Sequence, residues 1–116
     1  MVTSQEDANI LRECNKNGMM PNWSYPCLRI WHQHDMSQFV GNGQKIGFPV
    51  FELDKFKDVE KHHLSYLDKI FVCSEWAKSV ILDEIDISPE HVNVIPLGVD
   101  NKTFKRVDKQ KKDREF

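Results

Sequence analysis

Apolar residues along this chain fall into four short runs, and between the later runs they recur at helical spacing. Leu28, Ile30 and Trp31 make the first run, bounded by Pro26 and by the polar stretch 32–38, which predicts a strand over 28–31. Residues 46–53 (Ile-Gly-Phe-Pro-Val-Phe-Glu-Leu) are too apolar for a half-exposed strand, and Gly47 and Pro49 argue against a helix. They predict a buried strand of a covered sheet, with Pro49 at an end or an irregularity because it donates no ladder hydrogen bond. Short apolar runs at 70–73 and 92–95 predict two more strands, the last terminated by Pro96, Gly98 and Asp100.

The intervening segments carry a different period. Val59, His63, Leu64 and Leu67 predict an amphipathic helix over 57–67. Trp76, Ala77, Val80, Ile81 and Ile85 predict another over 75–85, with Ser74 as its N-cap and Glu75 complementing the dipole in the first turn. Ser88, Pro89 and Glu90 read as a one-turn helical start with proline at the first position. Upstream, Ile10 and Leu11 mark one short helix over 5–14, followed by a loop-like stretch to 26, and Gly41, Asn42 and Gly43 mark a turn.

Strand, strand, helix, strand, helix, strand is the order of an α/β layer with parallel strands. The expected architecture is a partial Rossmann-like parallel sheet with flanking helices and a three-layer tendency. It occupies 28–104, after an irregular N-terminal segment (1–27) and before a basic linker or disordered tail (105–116). In such sheets the ligand crevice lies at the carboxyl ends of the strands. Here those ends carry His32 to Asp35, Glu52 to Asp54, Ser74 with Glu75, and Leu97 to Asp100.

Composition narrows the class. With 116 residues the chain is one domain's worth, short of a complete two-domain enzyme. A formal charge of -2 gives no overall basic field for nucleic acid or an anionic membrane, although seven Lys or Arg against three acids follow from Lys102 onward. No apolar run approaches the roughly 20 residues of a membrane span, and the polar start lacks the apolar core of a secretory signal. Three cysteines, Cys14, Cys27 and Cys73, stand at wide, unrelated spacings and read as reduced thiols of a cytoplasmic protein.

Four groups of residues carry candidate chemistry, each with a structural alternative. His32 and His34 share one face if the first strand continues, and an imidazole there can take a proton from an acceptor hydroxyl; otherwise they are ordinary loop histidines. A metal reading needs a third ligand, which Asp35 would not supply on an extended chain, so no metal is expected. Glu52 and Asp54 are two carboxylates at the mouth of the crevice; Glu52 is read as a substrate contact or catalytic group, against pairing with a lysine, and Asp54 as a cap for the following turn or helix. Ser74 is first a helix cap; with Glu75 it can also meet a bound anion or a ligand oxygen. Gly98 permits a positive φ or close backbone approach, and Asp100 fixes its turn. Trp31, Phe71 and Trp76 are read as core, His62, His63 and Tyr66 as helix-surface groups, and a sugar-stacking role is open to Trp23 or Trp31.

Three pieces in this order resemble a known family. They are Ile-Gly-Phe-Pro-Val-Phe-Glu-Leu-Asp (46–54), Leu-Asp-Lys-Ile-Phe-Val-Cys-Ser-Glu-Trp (67–76) and His-Val-Asn-Val-Ile-Pro-Leu-Gly-Val-Asp (91–100), followed by Phe104. Together they resemble a group 1 (family 4) glycosyltransferase of the two-domain GT-B type, over about half the chain, and the third piece is the most specific. The family's usual forms are a strand ending in Phe-Glu-Thr-Asp, a strand-to-helix turn with serine, and a crossover ending in Pro-x-Gly-Val-Asp.

The resemblance implies the back half of an N-terminal, acceptor-binding domain. The parent enzyme would transfer a sugar from a nucleotide-sugar donor to a hydroxyl acceptor, with the nucleotide sugar as co-substrate and no bound cofactor. His34 and Glu52 are its catalytic candidates, and His32, Glu52, Ser74, Glu75, Gly98 and Asp100 its substrate-binding candidates. The donor-binding domain is not represented, which implies that the segment is inactive alone. The competing readings are a small non-enzymatic α/β module that binds a ligand or partner in the same crevice, and a nucleic-acid accessory protein using the basic tail. No aromatic platform accompanies that charge, so nucleic acid is not the expected partner. An incomplete sheet leaves an edge and apolar surface open, which predicts self-association.

Overall fold

A computed structural model describes residues 4–19 and 24–107. Four strands, β1 (Cys27–His32), β2 (Lys45–Val50), β3 (Lys69–Val72) and β4 (Val92–Val94), form one sheet in the order β1-β2-β3-β4, and every pairing is parallel. Helix α1 (Gln5–Gly18) precedes the sheet, α2 (Asp58–Ser65) joins β2 to β3, and α3 (Glu75–Glu84) joins β3 to β4. Single 3-10 turns lie at Gln33–Asp35 and Pro89–His91. The α/β class, the parallel sheet and the flanking helices expected from the hydrophobic pattern are all present.

The core forms where one side of the sheet meets α2 and α3. Ile70, Val72 and Val92 alternate onto that side and are at most 1% exposed. They pack with Leu64 of α2 and with Ala77, Val80 and Ile81 of α3. Met36, just past the first 3-10 turn, is equally buried and fills the same core. It is the lone apolar residue in a polar run, so periodicity gave it no place there.

Gly47 of β2 faces the same side. A Cβ there would overlap the Leu67 side chain and press on the Met36 sulfur, so the bare backbone makes room for Leu67 against the sheet. Gly41, at φ 77, turns the loop before β2. Pro49 is the penultimate residue of β2, as expected of a strand proline.

The opposite side of the sheet is covered unevenly: Phe48 is buried at 7% exposed, whereas the β1 side of that face is exposed. The register sets Leu28 beside Ile46, Ile30 beside Phe48 and His32 beside Val50. Leu28 is 51% exposed, Ile30 60% and Val50 41%, so among the described residues that end of the face has no full cover. The helices that join the strands pack on the other side, and α1 buries none of its residues.

Several details differ from the sequence reading. The N-terminal segment is not irregular throughout: α1 runs to Gly18, four residues past the expected end, with the Ser4 hydroxyl accepting the Asp7 amide at 3.0 Å. The buried face of α2 is Glu60 and Leu64, continued by Leu67 beyond its end, while Val59 points outward at 55% exposure. Trp31 and Trp76 are not core, at 50% and 51% exposed, and Phe71 is half-buried. Among the described residues no helix is long and apolar enough to cross a membrane. Lys105 and Arg106 are exposed in irregular chain, whereas Trp23 and the basic residues beyond 107 lie outside the described residues.

Candidate functional site at the strand ends

Parallel pairing delivers all four strands to one edge. His32 pairs with Val50 and Val72 with Val94, and the Ile95 amide donates to the Val72 carbonyl at 2.7 Å, extending β4 by one bond. The register of Gly47 beside Ile70 carries β2 and β3 out side by side. The four candidate groups therefore follow the carboxyl ends of four adjacent strands.

After β1 the chain does not stay extended; it turns into the 3-10 helix Gln33–Asp35. His32 and His34 come together all the same, because the turn stacks their rings with centroids 5.6 Å apart and planes 13° apart. Trp31 meets His32 edge to face at 5.7 Å. Arg29 braces the turn from beneath, its Nε donating to the Asp35 carbonyl at 2.8 Å and its guanidinium to the Asp35 carboxylate at 2.7 Å. That bond commits Asp35 to structure. All three cysteines are free thiols, and no group of three His, Cys, Asp or Glu suited to a metal ion occurs among the described residues.

After β2, Phe51 turns inward against Phe56, with centroids 5.1 Å apart, and against Trp76, 6.0 Å away. This aromatic contact ties the segment bearing Glu52 to the first turn of α3. Glu52 and Asp54 stay exposed and make no hydrogen bond or ion pair among the described residues. Asp54 does not cap α2. The buried Glu60 closes that helix instead, accepting the Lys57 amide at 2.8 Å.

The segment is anchored further along by Glu84 at the end of α3. Its carboxylate accepts the Phe56 amide, the Lys55 ammonium and the Lys61 ammonium, each at 3.0 Å. The Phe56 N–H, then Lys61 and Lys55, hold the Glu84 carboxyl down to about 2, and Glu84 in turn raises Lys55. The anionic form compensates for its adverse position at a helix C-terminus through these three donors.

Ser74 caps α3 as the sequence indicates, its hydroxyl accepting the Ala77 amide at 3.1 Å, and Glu75 stands exposed beside it. Gly98 shows neither of the properties expected of it: its φ is not positive, and a Cβ would meet nothing within 4 Å. Asp100 is engaged in its own turn, accepting from the Lys102 amide at 2.9 Å and the Thr103 hydroxyl at 2.7 Å. The Thr103 hydroxyl and the Lys102 amide lower its carboxyl pKa.

Of the sequence candidates, His32, His34, Glu52 and Glu75 thus have side chains unpaired by hydrogen bonds among the described residues. Ser74 and Asp100 shape the backbone around them. An imidazole pair and a carboxylate on an open edge can exchange protons with a hydroxyl or hold its oxygen, which is acid–base and polar-binding chemistry rather than nucleophilic chemistry. Phe51 and Glu84, which position this edge, were not singled out in the sequence; an aromatic just past a strand and an acid at a helix C-terminus were the available signals. No protein-family model matches the chain, and no curated protein or solved structure matches it either.

Proposed function

We propose that the chain is the acceptor-side Rossmann-like segment of a GT-B-type glycosyltransferase, which moves a sugar from a nucleotide donor to a hydroxyl acceptor. One observation supports this above all. Residues drawn from separate sequence motifs follow the carboxyl ends of four successive parallel strands, where ligands of open α/β sheets bind. In this reading an acceptor hydroxyl lies against the His32–His34 pair, and His34 or Glu52 takes its proton as the glycosidic bond forms. Ser74 and Glu75 meet further hydroxyls from the start of α3. Gly98 and Asp100 form the crossover toward the nucleotide sugar, with Asp100 acting through the turn it closes.

A second reading, a small non-enzymatic module that binds a partner, draws on the uncovered face around Leu28 and Ile30. Saccharide binding separates the two. A panel of mono- and oligosaccharides titrated against the chain should yield saturable binding that Glu52→Gln or His34→Ala weakens by about tenfold or more, the effect of losing a hydrogen bond to a charged or imidazole group. Absence of saturable binding across the panel, or binding indifferent to both substitutions, would sink the sugar-transfer reading.

A further inference from the structure

A concavity lies at the other end of the sheet. Lys45 opens β2, so its neighbourhood is the amino edge, away from His32 and Glu52. Between the end of α2 and the segment 36–39 the surface encloses a cleft of about 270 Å³. Met36 and Leu67, both members of the core, form its apolar floor. Lys45, His63 and Tyr66 stand around it. His62 meets Tyr66 edge to face at 4.8 Å, which holds that rim in place.

Among the polar groups of this cleft, Lys45 and His63 bear donors, beside the Ser37 and Tyr66 hydroxyls, which donate or accept. The ammonium of Lys45 can only donate. His63 buries its Nδ1 with no hydrogen-bond partner, and its half-exposed ring leaves Nε2 as the accessible nitrogen. Nε2 is therefore the ring nitrogen that can meet a ligand, and it can donate to one. Asp68 directs a carboxylate oxygen to the Lys45 backbone amide at 2.7 Å and does not line the cleft.

An apolar floor beneath a cation and an imidazole donor suits one ligand chemistry: a ring that covers Met36 and Leu67, bearing a carboxylate that accepts from Lys45 and His63. We propose that this cleft binds a small ring-bearing carboxylate. The proposal is independent of the strand-end reading, since no residue is shared between the two.

The test uses benzoate as the probe, with benzamide as its neutral isostere and acetate as the anion without a ring. Titrations of the ¹⁵N-labelled full chain should show saturable benzoate shifts at Lys45, His63 and Tyr66 with a Kd of roughly 1 mM, the affinity open to so small a ligand. Benzamide and acetate should each bind about tenfold more weakly, and Lys45→Gln should weaken benzoate about tenfold while leaving the spectrum elsewhere unchanged. Ser37→Trp, at an exposed rim position, should occlude the cleft without touching the core. Benzamide binding as tightly as benzoate, Lys45→Gln leaving benzoate unaffected, or shifts that never saturate would each overturn the proposal.

Discussion

Glu84 is the side chain that anchors the segment between β2 and α2. Three donors from two other segments converge on its carboxylate, and they stabilise only the ionised form. Its folded-state pKa of about 2 lies below the 4.5 of a free glutamate, so its contribution to stability is complete above about 4.5 and is lost as the pH falls toward 2. Glu84→Gln should therefore lower the urea midpoint near neutral pH, and the gap from the wild type should close as the pH is brought through that window. A gap of the same size at both ends would show that the carboxylate charge is not what anchors residues 55–57. The same substitution should also broaden the amide signals around Glu52, because the Phe56 N–H loses its anionic acceptor.

Among the elements, α3 is the most completely determined by local chemistry. Ser74 accepts the Ala77 amide, Glu75 opens the first turn, and Ala77, Val80 and Ile81 face the sheet. Ser74→Ala should cost about 1 kcal/mol in chemical denaturation, the usual worth of an N-cap hydroxyl. A loss much larger than that would mean the serine has a further partner.

This helix and the strands were legible because periodicity and caps are written locally. What was not legible depended on partners distant in sequence. Met36 enters the core where Gly47 has no Cβ to press on its sulfur. Val59 and Trp76 fit an apolar stripe by spacing, yet both point outward; Glu60 takes the buried place in α2, while Ala77, Val80 and Ile81 of the expected stripe in α3 are buried. At the candidate site the residue types were readable and their surroundings were not. The sequence could not reveal that His32 and His34 stack through a 3-10 turn, that Asp35 is held by Arg29, or that Asp100 is occupied by Thr103.

At the scale of the molecule, a parallel sheet with helices packed on one side is an incomplete layer. Parallel sheets are ordinarily covered on both faces, and here Leu28, Ile30 and Val50 remain in solvent. β1 and β4 are the outer strands of the described sheet, so β1 also has a free hydrogen-bonding edge. Self-association that grows with protein concentration is the expected consequence in sedimentation velocity, and the pair Leu28→Lys with Ile30→Lys should suppress it. A chain that stays monomeric at every concentration would show that the open face and edge are not adhesive.

The carboxyl edge of this sheet is proposed to receive a hydroxyl-bearing sugar acceptor. The most direct measurement maps saccharide-induced amide shifts over the ¹⁵N-labelled chain. The largest shifts should fall at 32–35, 52–54 and 74–76, three stretches distant in sequence and joined only by the parallel strand ends. Shifts confined to the bare face around Leu28 and Ile30, or to the cleft beside Lys45, would contradict it.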